Sequence, residues 1–164
     1  MVNTTLIIGR FQPFTKAHFE LASKQDGHVT IAVVRGANTD KSPFPIDKTV
    51  ELIKRAIPNA HVIQAKSAWI GDIAAALEAD GLKISTLIAG QDRQASYEAM
   101  LKRAKLDGVK LEAIPRSDDS VSGTKVREAL MSGDYTAFKS MMPVRIQDKR
   151  TFAELSAILG AAKQ

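Results

Sequence analysis

Two short stretches hold the residue types that could do chemistry. The first, GRFQPFTKAH at residues 9–18, follows the apolar run Thr5-Leu6-Ile7-Ile8. Gly9 lets backbone approach a ligand closely, and Arg10, Thr15 and His18 offer a cation, a hydroxyl and an imidazole beside it. If Thr15 or a neighbour starts a helix, the free amides and positive dipole of that helix end suit a phosphate. His18, three residues on, shares a helix face with Thr15, so hydroxyl and imidazole could address one phosphate group. The plainer alternative is a satisfied polar histidine packed under a loop. The second stretch runs from Asp118 to Arg127 and reads DDSVSGTKVR. Ser122 and Thr124 sit at a helix start and can donate to phosphate oxygens, while Arg127, one turn later, adds a planar, delocalised cation. Its alternative is an ordinary serine cap with a surface arginine.

The elements that would position these stretches alternate. Strands are expected at Thr5–Ile8, Val29–Val34, His61–Gln64, Thr86–Ala89 and Lys110–Ile114, several of them apolar throughout, as strands covered on both faces are. Helices with apolar residues at three- and four-residue spacing are expected at Lys16–Lys24, Ile46–Ile57, Ile70–Ala79 and Arg93–Lys105. Three further helices follow without an intervening strand, at Gly123–Met131, Tyr135–Met141 and Phe152–Ala162, the last opened by a capping box, Thr151-x-x-Glu154. The pattern predicts one α/β domain, doubly wound and Rossmann-like, with a five-stranded, mainly parallel sheet. Its core would be residues 5–142, with a helical C-terminal region at 143–164. In such sheets ligands bind outside the carboxyl ends of the strands, where the first stretch lies, and the second opens the helix after the fifth strand.

Composition narrows the partners. A chain of 164 residues can bury roughly 70% of the surface its unfolded form exposes. The absence of cysteine rules out disulfides and thiolate metal sites, and His18, His28 and His61 are too scattered for a local zinc motif, so no protein metal ligand is assigned. No apolar stretch approaches the ~20 residues of a membrane span, and no basic region precedes the first apolar run. These features point to a cytoplasmic chain without a membrane partner. The net charge of +5 suits anionic molecules, but aromatic content is only 5%. No Lys/Arg block is interleaved with aromatics, so small molecules rather than nucleic acid are expected.

Together the two stretches resemble the paired signatures of the nucleotidylyltransferase superfamily, a Thr-or-His-x-Gly-His motif after the first strand and Ile-Ser-Ser-Thr-x-x-Arg near the last helix. Here they read Thr15-Lys16-Ala17-His18 and Val121-Ser122-Gly123-Thr124-Lys125-Val126-Arg127, and the resemblance spans Leu6 to Met142. It implies attack by an acceptor phosphate on the α-phosphorus of a nucleoside triphosphate such as ATP, accompanied by Mg2+, with release of pyrophosphate and no covalent enzyme intermediate. By resemblance, His18 bonds the α-phosphate and Thr15 assists it. Ser122, Gly123, Thr124 and Arg127 hold the outgoing pyrophosphate, and Gly9, Arg10 and Phe11 lie on the nucleotide side.

Further pieces resemble the nicotinamide mononucleotide adenylyltransferases of archaeal and viral type. Gly9-Arg10-Phe11-Gln12-Pro13 matches that branch, Ser42-Pro43-Phe44 resembles its Asn-Pro-Phe, Ala68-Trp69-Ile70 its Leu-Trp-Val, and Ser122-Gly123-Thr124 its Ser-Gly-Thr. Trp69, the single tryptophan, either stacks on a nicotinamide ring or fills the space between sheet and helix. Asp92, in a Gly-x-Asp, either accepts from a ribose hydroxyl or caps the helix that follows. The chain departs from the branch at three places: Ala17 replaces the motif glycine, Thr15 the first histidine, and Lys48-Thr49 an acidic residue and an arginine. The lost arginine leaves Lys41 or Lys48 to hold acceptor phosphate. Phosphopantetheine or glycerol phosphate as acceptor, a cytidylyl transfer, and a nucleotide-binding protein without activity are the alternatives. The amphipathic helix at 152–162 either closes the domain or pairs subunits of a homo-oligomer.

Overall fold

The computed structural model describes residues 1–35, 42–114 and 122–162. In chain order the elements are β1 (Val2–Gly9), α1 (Lys16–Ser23), β2 (His28–Val34), α2 (Ile46–Ala56), β3 (His61–Ala65), α3 (Ile70–Ala79), β4 (Leu82–Ala89), α4 (Gln94–Arg103), β5 (Lys110–Ala113), α5 (Gly123–Ser132), α6 (Tyr135–Met141) and α7 (Lys149–Ala162). Single 3-10 turns precede α4 and α7, at Gln91–Arg93 and Val144–Ile146. The residues fall into two compact units: one holds 1–9, 24–35 and the described part of 60–115, the other 10–23 and the described parts of 36–59 and 116–164. No helix among the described residues is long and apolar enough to cross a membrane.

The first unit is the sheet. Leu6, Ile7 and Ile8, Ile31, Ala32 and Val33, and Leu87, Ile88 and Ala89 are each at most 3% exposed. Neighbouring residues of a strand point to opposite faces, so runs buried without interruption require cover on both sides. All strands pair in parallel, in the order β3-β2-β1-β4-β5, giving an α/β, Rossmann-like arrangement. α3 contributes Ile70, Ile73, Ala74 and Leu77, and α4 contributes Tyr97 and Leu101, to one cluster with Leu6, Ile8, Leu87 and Ala89. Ile7 pairs with Ile31 on one side and Ile88 on the other. The strand order therefore runs outward both ways from β1, which places the ligand crevice of such a sheet outside the carboxyl ends of β1 and β4. β1 and β4 begin earlier than the apolar pattern predicts: β1 opens on the exposed Val2 and Asn3 and the polar Thr4, and β4 opens on buried Leu82 and Ile84 separated by the exposed Lys83. Thr4, fully buried, is satisfied by His28 Nδ1 at 2.7 Å and the Thr30 hydroxyl at 2.8 Å.

The second unit is helical. α2 buries Thr49, Val50, Leu52, Ile53 and Ala56, and α5 buries Val126, Ala129 and Leu130. α5 stops at Gly133, whose φ of +74° gives the left-handed cap that a side chain would resist. Asp134 then caps α6 by accepting from the Ala137 amide at 3.0 Å. The rings of Tyr135, Phe138 and Phe152 pack together on α6 and α7.

α7 corrects the sequence expectation at its start. It begins at Lys149 rather than Phe152, with Asp148 accepting from the Thr151 amide at 3.2 Å and from the Thr151 hydroxyl. Glu154, the expected partner in the box, instead accepts from Lys48 Nζ at 2.6 Å and Arg150 Nε at 3.1 Å. A charged partner on α2 outbids a backbone amide for that carboxylate. Hydrogen bonding from Thr151 holds the Asp148 carboxyl below its ordinary range. Asp148→Ala should cost about 1 kcal/mol at pH 7. That contribution is present above pH ~4 and lost as the pH falls through the lowered folded value, so urea melts of the two proteins should differ at pH 7 and converge in acid. Equal melts at pH 7 would remove the cap from the account of α7.

Candidate active site

The loop that leaves β1 is closely packed. Phe11 adopts a φ of +52°, a left-handed conformation uncommon for a bulky residue. It is 4% exposed and Phe14 is 1% exposed. His18 lies between them, its ring meeting Phe11 edge-on at a centroid distance of 5.1 Å and stacking on Phe14 at 5.6 Å. Thr15 is the N-cap of α1, its carbonyl accepting from the Phe19 amide at 3.0 Å. His18 Nδ1 accepts from the Thr15 amide at 3.0 Å and lies 3.2 Å from the Thr15 hydroxyl. This is half of a capping box, with an imidazole in place of the usual carboxylate or amide at the third helical position.

That bond fixes the tautomer. A ring nitrogen that accepts carries no proton, so the neutral imidazole bears its hydrogen on Nε2. Burial between the two phenylalanines pushes the His18 pKa down to about 4, which keeps the ring neutral at pH 7. Nε2 makes no hydrogen bond to a described residue, so His18 is a neutral donor with one N–H to offer. Ala17 sits in the same helical turn; among the described non-glycine residues only Phe11 and Lys105 have positive φ. Its methyl therefore imposes no backbone strain.

The second stretch is joined to the first at Gln12, to which residue type and spacing assign no role of its own. Ser122 caps α5 by accepting from the Lys125 amide at 3.1 Å. Arg127, half-buried, donates from Nη1 to the backbone carbonyl of Gln12 at 2.6 Å and from Nη2 to Thr124 Oγ1 at 3.3 Å. Burial lowers the Arg127 pKa, though a guanidinium keeps its charge at any working pH. A Cβ on Gly123 would stand 2.9 Å from the Gln12 carbonyl oxygen and 3.1 Å from Arg127 Nη1. Glycine at 123 is therefore a requirement of this contact. The Gln12 side chain in turn exchanges two hydrogen bonds with the Phe44 backbone. A pattern of side chain to backbone bonds between residues 12, 44 and 127 leaves no periodicity for a sequence to display.

Of the residues singled out above, the second unit thus brings together Phe11, Thr15, His18, Ser122, Gly123, Thr124 and Arg127, and it also holds the exposed Arg10. Gly9, Trp69 and Asp92 belong to the sheet unit. Gly9 ends β1, paired with Val33. Asp92 is exposed in the 3-10 turn after β4, and a Cβ on Gly90 would meet its carboxylate at 2.9 Å. It does not cap α4, whose N-cap Arg93 has no side-chain hydrogen bond. Trp69 is half-buried outside the core cluster. Its indole Nε1 lies 2.5 Å from where a Gly71 Cβ would be, and the Arg103 guanidinium stands 5.2 Å from its ring centroid. The core-filling alternative for Trp69 is thereby replaced by a surface cation–π pair. Lys48 is already neutralised by Glu154 at 2.6 Å and Glu51 at 3.4 Å, which removes it as a free phosphate cation. Lys41 and Val121 lie outside the described residues.

The family model described as cytidylyltransferase-like matches residues 6–129. Among solved structures, one from Vibrio parahaemolyticus named for nicotinate-nucleotide adenylyltransferase aligns with a TM-score of 0.60 at 18% identity, over 96% of this chain and 99% of that one. A Plasmodium falciparum nicotinic acid mononucleotide adenylyltransferase complexed with APC aligns with a TM-score of 0.58 at 12% identity, over 99% of this chain and 98% of that one. At these identities the likeness is one of fold. No curated protein sequence matches the chain.

The imidazole packed between the two phenylalanines has a measurable signature. Its folded pKa of about 4 lies below the free value of 6.5, so the unfolded chain binds the extra proton first as pH drops. Stability associated with neutral His18 is complete above pH ~6.5 and falls, by ~3 kcal/mol in all, as pH is lowered towards 4. Denaturant melts at pH 7 and 4.5 should show this loss, and His18→Gln should lack it. NMR titration of the ring should give a midpoint near 4; a midpoint of 6 or above would contradict the burial argument.

Proposed function

Since the chain belongs to the cytidylyltransferase-like family, we propose that it is a nucleotidyltransferase moving AMP from ATP to nicotinamide mononucleotide, with NAD and pyrophosphate as products. The observation that carries this reading is the joining of a neutral His18 donor and a fixed Arg127 cation at two helix starts of one unit. A phosphate oxygen of the acceptor attacks the α-phosphorus in line. The new O–P bond forms as the bond from the α-phosphorus to the bridging oxygen breaks, and pyrophosphate departs with that electron pair. No protein nucleophile is needed; catalysis is alignment and charge stabilisation.

His18 donates from Nε2 to an α-phosphate oxygen, where charge gathers in the transition state, and Thr15 keeps the ring in the donating tautomer. Arg127, the Thr124 and Ser122 hydroxyls and the Gly123 amide take the leaving pyrophosphate. Gly9, Arg10 and Phe11 serve the nucleotide, Asp92 a ribose hydroxyl, and Lys41 the acceptor phosphate. Magnesium would arrive on the triphosphate and offset its charge. Among the described residues no group of three or more His, Asp or Glu side chains is placed to hold a metal ion.

One observation favours a second acceptor. If Trp69 stacks on the pyridine ring of the acceptor, the Arg103 guanidinium beside it attracts a carboxylate and repels a pyridinium that carries none. Nicotinate mononucleotide is then the better substrate, and both structural neighbours are named for that form. The deciding assay offers ATP or CTP with nicotinamide mononucleotide, nicotinate mononucleotide, phosphopantetheine or glycerol phosphate and measures pyrophosphate. Release with ATP and a pyridine mononucleotide is expected. Release with CTP or another acceptor replaces the substrate assignment, and no release with any pair leaves a nucleotide-binding protein. His18→Ala should lower kcat by roughly 100- to 1,000-fold with a smaller change in ATP affinity. Trp69→Ala should raise KM for the pyridine nucleotide, and Arg103→Ala should do so mainly for the nicotinate form. Unchanged turnover in His18→Ala would end the catalytic assignment.

A further inference from the structure

The geometry points to Gln12 as a positioning residue that holds His18 and Arg127 in one frame. Segments distant in sequence meet on it. Its side chain and the Phe44 backbone exchange two hydrogen bonds: the Phe44 amide donates to Oε1 at 2.8 Å, and Nε2 donates to the Phe44 carbonyl at 3.0 Å. Its own carbonyl accepts from Arg127 Nη1 at 2.6 Å. The residue before it is Phe11, left-handed at φ +52°, whose ring edge meets His18.

These contacts act as a unit. A carboxamide bonded along both edges cannot turn, so Gln12 is held against residue 44 as one paired strand residue is held against another. That hold reaches two ways along the backbone. On the N-terminal side it opposes relaxation of Phe11, which outside such constraint would return to an ordinary backbone region and take its ring away from His18. On the C-terminal side it aims the carbonyl at Arg127, and Gly123 leaves that approach clear. Removing the two side-chain bonds therefore loosens the neutral donor and the fixed cation together. In the proposed chemistry Gln12 touches no substrate; it acts through residues that do.

This inference rests on the transferase reading for its kinetic consequence alone, and one of its readouts is independent of turnover. Gln12→Met keeps length and apolar volume while removing both side-chain bonds; Gln12→Glu keeps an acceptor for the Phe44 amide. In Gln12→Met, kcat should fall by roughly 10- to 100-fold, the scale of an ångström-level misplacement, with KM for ATP changing less than threefold. The His18 NMR midpoint should rise from about 4 towards 6.5 as its aromatic packing loosens. Gln12→Glu should fall between wild type and Gln12→Met in both readouts. Gly123→Ala, which presses on the same carbonyl from the other side, should lower kcat through Arg127 while leaving the His18 midpoint near its wild-type value. If Gln12→Met changes only the melting temperature, with kcat and the His18 midpoint as in wild type, the positioning role is overturned. Should the wild-type protein release no pyrophosphate with any acceptor, the functional reading fails by itself. The His18 midpoint in Gln12→Met against wild type then decides the positioning claim.

Discussion

A guanidinium N–H set 2.6 Å from a backbone carbonyl joins Arg127 to Gln12, and much of the helical unit follows from it. The bond is charge-assisted and half-buried, so it is stronger than a neutral pair in water. It also fixes a plane: with Nη1 on Gln12 and Nη2 on Thr124, the guanidinium has no freedom to swing as a lysine would. The cation is thereby preorganised, and the entropy of placing it is met on folding rather than on binding. Gly123 is drawn into the same constraint, since any side chain there would enter the contact. The starts of α1 and α5, each with first-turn amides left over by helix geometry, are held to one another by this bond within a single unit.

Against this fixed cation the unit sets a group that stays uncharged. His18 is packed between Phe11 and Phe14 at the start of a helix, where burial disfavours the imidazolium and a positive helix end opposes it further. A neutral imidazole can still donate a hydrogen bond, and it does so without needing a proton from solvent. The two groups therefore divide the electrostatic work. Arg127 supplies net charge independent of pH, and His18 supplies a directed N–H whose protonation is steady across neutral pH. In the proposed reaction these two groups would meet different oxygens of one triphosphate.

The sheet was legible because its central strands are buried on both faces, and unbroken apolar runs such as Leu6-Ile7-Ile8 and Leu87-Ile88-Ala89 have no other use in a chain of this composition. The polar beginning of β1 was not, because Thr4 is satisfied by His28 and Thr30, partners that a local pattern does not reveal. At α7 two capping signals three residues apart competed, Asp148-x-x-Thr151 and Thr151-x-x-Glu154. The choice was made by Lys48, more than a hundred residues away, taking Glu154. Trp69 shows the same limit: neither core filling nor an open stacking face foresees Arg103 over its ring and Gly71 close against its indole. The two stretches that meet around Arg127 were visible from residue type and spacing, whereas Gln12 was hidden because its partners are backbone groups and its own contribution to Arg127 is a carbonyl that any residue owns.

That last point bears on the departures in the first stretch. The orientation of His18 depends on its Nδ1 lone pair, and a ring nitrogen has only one. The Thr15 amide, at 3.0 Å and fixed by the backbone, holds it; the Thr15 hydroxyl at 3.2 Å competes for the same lone pair and can turn away. Any residue but proline supplies an amide at 15, so threonine in place of histidine leaves the donating tautomer of His18 intact. Likewise Ala17 occupies ordinary helical backbone, where the loss of glycine alters neither the turn nor the position of His18. The features that orient the imidazole are backbone geometry and aromatic packing, and these survive changes in the motif letters on either side of it.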